Sequence, residues 1–240
     1  MGLTFNNKHT SELGLNIKSY RPIKTEANDT YLDIPGRAGS VLVPGKPRDR
    51  IIPVEFGLLA SSKSNLRAKT WEIATWLTTE GRENLIFDDE PDKIYKAKVE
   101  GRVDLEQLFV LGKFMVTFRC DPFAYGTEVT TPAQDDTATI TNNGTVAAPF
   151  TIDAEFTAAA PEFKATLGSH YIRVVHDFGA GDTLHINTGT GLIAINGSRA
   201  LDKLDWQHSL FFELAPGENI LTITPAGACD VTIKHKPMYC

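Results

Sequence analysis

The chain has 240 residues, 42% of them hydrophobic and 22% charged, an ordinary balance for a folded globular protein that excludes bulk disorder. No apolar run approaches the roughly 18–20 residues that span a bilayer. The opening MGLTFNNKHT lacks the apolar core of a secretory leader, and Asn6 stands where N-myristoylation wants Ser or Thr, so synthesis in a cytoplasm is expected. The net charge of −6 is uneven: residues 1–126 hold 18 Lys and Arg against 17 Asp and Glu, and residues 127–240 hold 6 against 13. That leaves no basic stripe for nucleic-acid phosphates.

In chain order, residues 3–7 and 13–24 read as strands, the second through the alternation of Leu13, Leu15 and Ile17. Residues 28–48 are turn chemistry (Pro35-Gly36, Pro44-Gly45, Pro47) and carry Arg37, Lys46 and Arg48, with Arg50 just beyond. The stretch reads either as a solvated surface loop or as an arm or β-hairpin reaching a neighbouring subunit. RIIPVEFGLL, residues 50–59, is a strand that leads into one amphipathic helix, SKSNLRAKTWEIATWLTTEG. Ser62 or Ser64 can cap its first amides, and Gly81 sits where a left-handed C-cap is wanted. At 100° per residue Leu66, Ile73 and Leu77 form the buried seam. Trp71 lies about 140° from Leu66 on the same count, off that seam. It reads equally as part of a second buried surface or as an interface anchor, since interfaces are enriched in tryptophan. NLIFDDEPDKIYKAKVEG then gives two strands around an acidic Asp-Glu-Pro-Asp turn. The next strand, GKFMVTFRCDP, sets Phe114, Val116, Phe118 and Cys120 on one face, and Pro122 is expected to end it.

Residues 127–136, TEVTTPAQDD, have linker composition and mark the change in charge balance. Beyond them the period is two almost throughout: Phe150, Ile152, Ala154 and Phe156 share a face, as do Leu184 with Ile186, Ile193 with Ile195, Leu210 with Phe212 and Leu214, Leu221 with Ile223, and Val231 with Ile233. Turn signals separate these runs at Asn143-Gly144, Gly179-Ala180-Gly181, Asn196-Gly197 and Ala215-Pro216-Gly217. The fold class is therefore mainly β. A β-rich domain with one helix (1–126) precedes a linker (127–136) and an antiparallel β-sandwich (137–240), which is similar in outline to galectin-like and carbohydrate-binding-module sandwiches.

Five motifs in order, FNNKHTSELGL, PGRAGS, the helix ending in WL, LIFDDEPDKIYKAKVEG and TFRCDPFAYG, resemble the N-terminal domain of the siphophage distal tail protein (Dit) family. The resemblance covers residues 1–126 well and continues more loosely to residue 240. One departure is Ala38, where an acidic residue is expected in the PGR-x-G turn. What the resemblance implies is a structural protein of the virion. Six copies would form a ring at the tip of a non-contractile tail, with the tail tube above and the tail-associated and receptor-binding proteins of host adsorption as partners below. Trp71, Arg37, Arg48 and Arg50 are the candidate subunit-interface residues.

Chemistry is not legible elsewhere. His170, His176, His185, His208 and His235 show no HxH or HxxxH spacing and read as surface or edge residues. Asp88, Asp89, Glu90 and Asp92 lack the alternating ligands and glycine of a calcium loop and read as a solvated turn. Gly189-Thr190-Gly191 is too short for a phosphate loop. An odd count of cysteines, Cys120, Cys229 and Cys240, argues against a disulfide framework or a zinc site. No metal, cofactor or catalytic residue is expected, and the chain reads as a non-enzyme. The alternative function is a glycan-binding module with an N-terminal assembly domain. Trp206 and Tyr171 would supply the stacking surface, although a loop tryptophan more often plugs the end of a sandwich. Little or no affinity for simple saccharides is expected, because a fold outline does not make a site.

Overall fold

A computed structural model describes residues 2–108 and 110–240. It divides into two compact units, residues 1–125 with Cys240 and residues 126–239.

In the first unit, strands β1 (Leu3–Phe5), β2 (Lys8–His9), β3 (Leu15–Ser19), β6 (Arg50–Leu59), β7 (Glu83–Phe87), β8 (Glu90–Glu100) and β10 (Leu111–Tyr125) make an antiparallel sheet in the order β2-β1-β7-β8-β10-β6-β3. The short β9 (Leu105–Leu108) also pairs with β10. A separate hairpin joins β4 (Thr30–Asp33) to β5 (Ser40–Val43). The helix α1, Lys63–Leu77, covers one sheet face, to which Leu3, Phe5, Ile52, Val54, Phe56, Phe114, Val116, Phe118 and Cys120 contribute buried side chains. Leu66, Ile73 and Leu77 are buried, and so is Trp76. The Trp76 ring stands edge-on to Phe5 and Phe56, 5.9 Å from each, and its Nε1–H donates to the Phe5 carbonyl at 2.7 Å.

Several elements depart from the sequence expectation for identifiable reasons. Residues 3–7 do not run straight, because Asn6 and Asn7 both take positive φ and close a two-residue hairpin onto β2. Ser62 caps α1, accepting from the Asn65 amide at 3.1 Å, but Gly81 is no C-cap. The helix stops at Leu77, where Thr78 turns extended and returns both its amide and its hydroxyl to the Ala74 carbonyl. The acidic turn is Asp88-Asp89 alone, and Glu90-Pro91-Asp92 already lie in β8. Pro122 does not end its strand. The register with β8 jumps between Cys120↔Ala97 and Ala124↔Tyr95, and this bulge accommodates a residue without an amide hydrogen.

The second unit is a sandwich of two antiparallel sheets. One holds β11 (Val129–Pro132), β13 (Phe150–Phe156), β16 (Thr183–Asn187), β17 (Leu192–Ile195), β18 (Ser198–Arg199) and β20 (Cys229–His235) in the order β11-β20-β13-β16-β17-β18. The other holds β12 (Thr137–Asn142), β14 (Ala160–Leu167), β15 (His170–Phe178) and β19 (Gly217–Thr224) in the order β12-β19-β14-β15. Their inward side chains form a single buried cluster. Residues 129–132, inside the expected linker, are an edge strand of the six-stranded sheet. Pro132 is tolerated at such an edge. Residues 209–214, by contrast, form no strand. Phe212 and Leu214 are buried as the alternation predicts, but Leu210 is exposed and the segment crosses the sandwich as irregular chain, touching the ladder at Ala148↔Leu214.

Two stability predictions follow from this packing. Trp76→Phe keeps the ring but strands the Phe5 carbonyl, and it is expected to lower the unfolding free energy by about 1–3 kcal/mol in urea titrations. The second concerns His235, which is 3% exposed, with neither ring nitrogen hydrogen-bonded. Burial holds its pKa below the ordinary 6.5, the Thr141 backbone opposing only in part. The unfolded chain therefore takes up the proton first. The stability tied to the neutral ring is complete above 6.5 and is lost as the pH falls through that value toward the folded pKa. Melts between about pH 7.5 and 5.5 are expected to show this loss, and His235→Leu to flatten it.

Candidate assembly surfaces

The first unit exposes apolar side chains both on the sheet, at Ile51, Leu59, Leu111 and Met115, and off it, where two surfaces stand out. Trp71 is 77% exposed on the side of α1 away from the core. Its neighbourhood is polar: Glu72 pairs with Lys8 at 2.6 Å, and the Thr75 hydroxyl donates to the Trp71 carbonyl. An indole held in water on a rigid helix invites cover.

The second such surface is the β4–β5 hairpin. Its cross-strand pairs are Thr30↔Val43, Tyr31↔Leu42, Leu32↔Val41 and Asp33↔Ser40, and no third strand joins them among the described residues. Tyr31, Leu32, Ile34, Leu42 and Val43 are all substantially exposed. A lone two-stranded ribbon is marginal in water, so this one needs support from outside itself. Its base is tied down: the Asn28 and Arg48 amides donate to the Lys46 and Glu26 carbonyls, and Arg48 donates its guanidinium to Asn28. At Gly45 a Cβ would lie 1.9 Å from the Asn28 carbonyl oxygen, so no other residue fits. The tip, residues 34–39, turns through Gly36 and Gly39 at positive φ and leaves Arg37 and Ala38 in solvent.

Arg50 does not belong with Arg37 and Arg48. It is 9% exposed, donates from Nε and Nη2 to the Thr25 hydroxyl, and lies 5.6 Å from the centre of the Tyr95 ring. Its position at the start of a strand with an inward alternation places it inside the unit. Tyr95 in turn donates to Glu90, and burial, aided by that carboxylate, pushes its phenol up to about 12. Cys120 is a core thiol pushed up to about 12 by burial. Arg21 neutralises the acidic turn locally by pairing with Asp89 and Glu90, and the His9 ring lies within hydrogen-bonding distance of Asp88, at 3.0 Å. Arg21 was not singled out by the sequence, since its partners lie 68 residues away or more. Between α1 and strands β8–β10 lies an apolar cleft of about 390 Å³ lined by Ile73, Leu77, Val99, Val103, Leu105 and Phe114.

In the second unit Trp206 is 63% exposed, so it does not plug the sandwich; Leu204 and Phe212 are the buried side chains of that loop. Tyr171 is half-buried beneath the Lys164 ammonium, 4.1 Å from the ring centre. The five histidines do not converge: His185 bonds Asp153, His208 bonds Asp205, His176 meets Phe178 edge-on, His235 is buried and His170 is exposed. Among the described residues no three His, Cys, Asp or Glu side chains group as a metal site requires.

Comparison with known proteins divides the chain at the same place. Residues 8–120 match the family model described as phage tail protein RIFT-related domain, and residues 143–239 match that of the siphovirus-type tail component, C-terminal domain. Over 132 residues the chain is 30% identical to the distal tail protein of Bacillus phage SPP1, a stretch that covers 51% of this chain and 52% of that relative, about half its length. The crystal structure of SPP1 Dit, titled a paradigm of the hub adsorption apparatus in phages infecting Gram-positive bacteria, superposes with a TM-score of 0.87 at 20% identity, covering 100% of this chain and 99% of the other; it establishes the shared fold. A chain of the phage p2 baseplate in its activated conformation aligns over 91% of this chain and 90% of its own at 9% identity, and its TM-score of 0.43 carries no argument.

Proposed function

Because the chain belongs to the distal tail protein (Dit) family of siphophages, we propose that it is a structural component of the tail tip, a ring of six copies connecting the tail tube to the host-adsorption apparatus. The observation that carries this reading is the pair of unlike apolar surfaces on the first unit, the β4–β5 hairpin and Trp71. A two-fold dimer buries the same patch on both partners, whereas contact between unlike patches propagates head to tail and closes into a ring when the rotation permits. The near-balance of 18 basic against 17 acidic residues up to residue 126 suits copies that must touch. Arg37 and Arg48, beside the hairpin, are positioned to set its polar contacts. The tube protein above and the tail-associated and receptor-binding proteins below are the partners, and no catalysis is assigned.

Two substitutions on α1 separate packing from assembly. Leu77→Ala removes a buried leucine and is expected to lower the stability of the monomer by about 2–5 kcal/mol. Trp71→Ala is expected to change monomer stability by less than about 0.5 kcal/mol while weakening self-association in light scattering at matched concentration. Equal destabilisation by the two would place Trp71 in the core. Assembled tail tips imaged with a single copy at this position would end the ring reading.

A further inference from the structure

The assembly surfaces proposed above lie on the first unit and make no use of the outer face of the four-stranded sheet in the second. The ladder sets Thr137, Thr222, Thr166 and Tyr171 opposite one another across all four strands. Their chain neighbours Ala138, Leu221, Ala165 and Ile172 are buried, so the period of two turns this row of hydroxyl-bearing side chains outward. The adjacent register carries Thr224, Lys164 and Arg173.

Arg173 is held rather than free. Its Nε donates to Glu162 at 2.9 Å and its Nη1 to Asp205 at 3.2 Å. Asp205 also accepts from His208, and this bond, ahead of the one from Arg173, keeps its carboxyl below the ordinary range. The loop bearing these groups is fastened to the edge strand β15 along its length. The Asp205 amide donates to the Arg173 carbonyl at 3.0 Å, the Leu210 amide to the Tyr171 carbonyl at 3.0 Å, and the Arg173 amide to the Ser209 hydroxyl at 3.0 Å. Trp206 stands on this fastened loop, mostly in solvent. A large aromatic surface is thus presented in a fixed place, so little ordering remains to oppose binding.

We infer that this face binds a neutral saccharide. The apolar face of a pyranose ring stacks on the Trp206 indole, and its hydroxyl groups exchange hydrogen bonds with Tyr171, the threonine row and the open lone pairs of Glu162 and Asp205. Glu162 and Asp205 both pair with Arg173, and the Lys164 ammonium lies over the Tyr171 ring, so these four groups sum to no net charge and favour a neutral ligand. An anionic polymer would meet a half-chain of 6 basic and 13 acidic residues. Little or no saccharide affinity was expected because a fold outline does not make a site; the row of hydroxyl groups and the fastened loop are the observations that argue for one here.

The test titrates the full chain with neutral gluco-, galacto- and N-acetylglucosamine oligosaccharides, read by calorimetry and by the backbone resonances of residues 201–210. At least one series is expected to bind saturably with a dissociation constant below about 1 mM. Trp206→Ala is expected to weaken it at least about tenfold, or 1.4 kcal/mol. Met115→Ala, at an exposed apolar side chain of the first unit, is the control and is expected to leave the constant unchanged. Both sites are on the surface, so melting temperatures should match the parent and exclude misfolding. Absence of binding by all three series up to about 10 mM would overturn the inference, as would binding that survives Trp206→Ala or binding confined to anionic polymers and lost in salt.

Discussion

An open antiparallel sheet has two faces, and the first unit has one fifteen-residue helix with which to cover them. α1 covers the face carrying Phe5, Phe56, Phe114 and Phe118, with Trp76 fixed by an edge-on contact at Phe56 and a hydrogen bond to the Phe5 carbonyl. The other face must then be made compatible with water, and this is done with charge. Glu55 pairs with Lys113 across the β6–β10 ladder, and Arg119 lies between Glu100 and Asp49, which also takes Arg82. Individually such exposed pairs add little stability. They stand among exposed apolar side chains of the same strands, Ile51, Leu59, Leu111 and Met115, and the hairpin and the far side of α1 add further exposed apolar surface.

The second unit meets the same constraint differently. Two sheets cover each other, and one cluster of inward side chains closes the account without a helix. Its outer faces are thereby released from any packing duty. A row of threonines costs little to hold in water, and a pinned loop with an exposed indole is tolerated because the core beneath it is complete. Surfaces that pack must be apolar and shape-matched. Surfaces that recognise need fixed polar groups around a small apolar platform. The two units supply these separately.

How much of this was legible in the sequence depended on how local its cause was. The seam of Leu66, Ile73 and Leu77 and the inward row from Phe114 to Cys120 follow from periodicity, and both are buried. Trp76 was missed because a helix lying on a broad sheet buries a wider stripe than a single seam. Arg50 was misplaced because nothing nearby announces Thr25 and Tyr95 as its partners. The strand at 129–132 was hidden by threonines and a proline that a central strand would refuse and an edge strand accepts. The hairpin at 28–48 was legible only as one of two readings, because its strands are four residues each and its prolines and glycines lie just outside them. The row from Thr137 to Tyr171 was not legible at all, since it exists only through register between four segments far apart in sequence.

The charge partition now has a physical rationale. Copies that touch in a ring bring like charges to within a few ångströms, where unit charges still repel by about 1 kcal/mol even in water. At physiological salt the interaction is largely screened beyond roughly 8 Å. A unit with 18 basic and 17 acidic residues can meet its own copy at contact distance with little net repulsion. A segment with 6 against 13 is stable beside copies of itself only when water and salt separate them. In the proposed ring, contact between copies would therefore fall to the residues before 126. The excess of carboxylates after that point would disfavour contact between neighbouring sandwiches in such a ring and favour leaving the outer face of the four-stranded sheet open to solution.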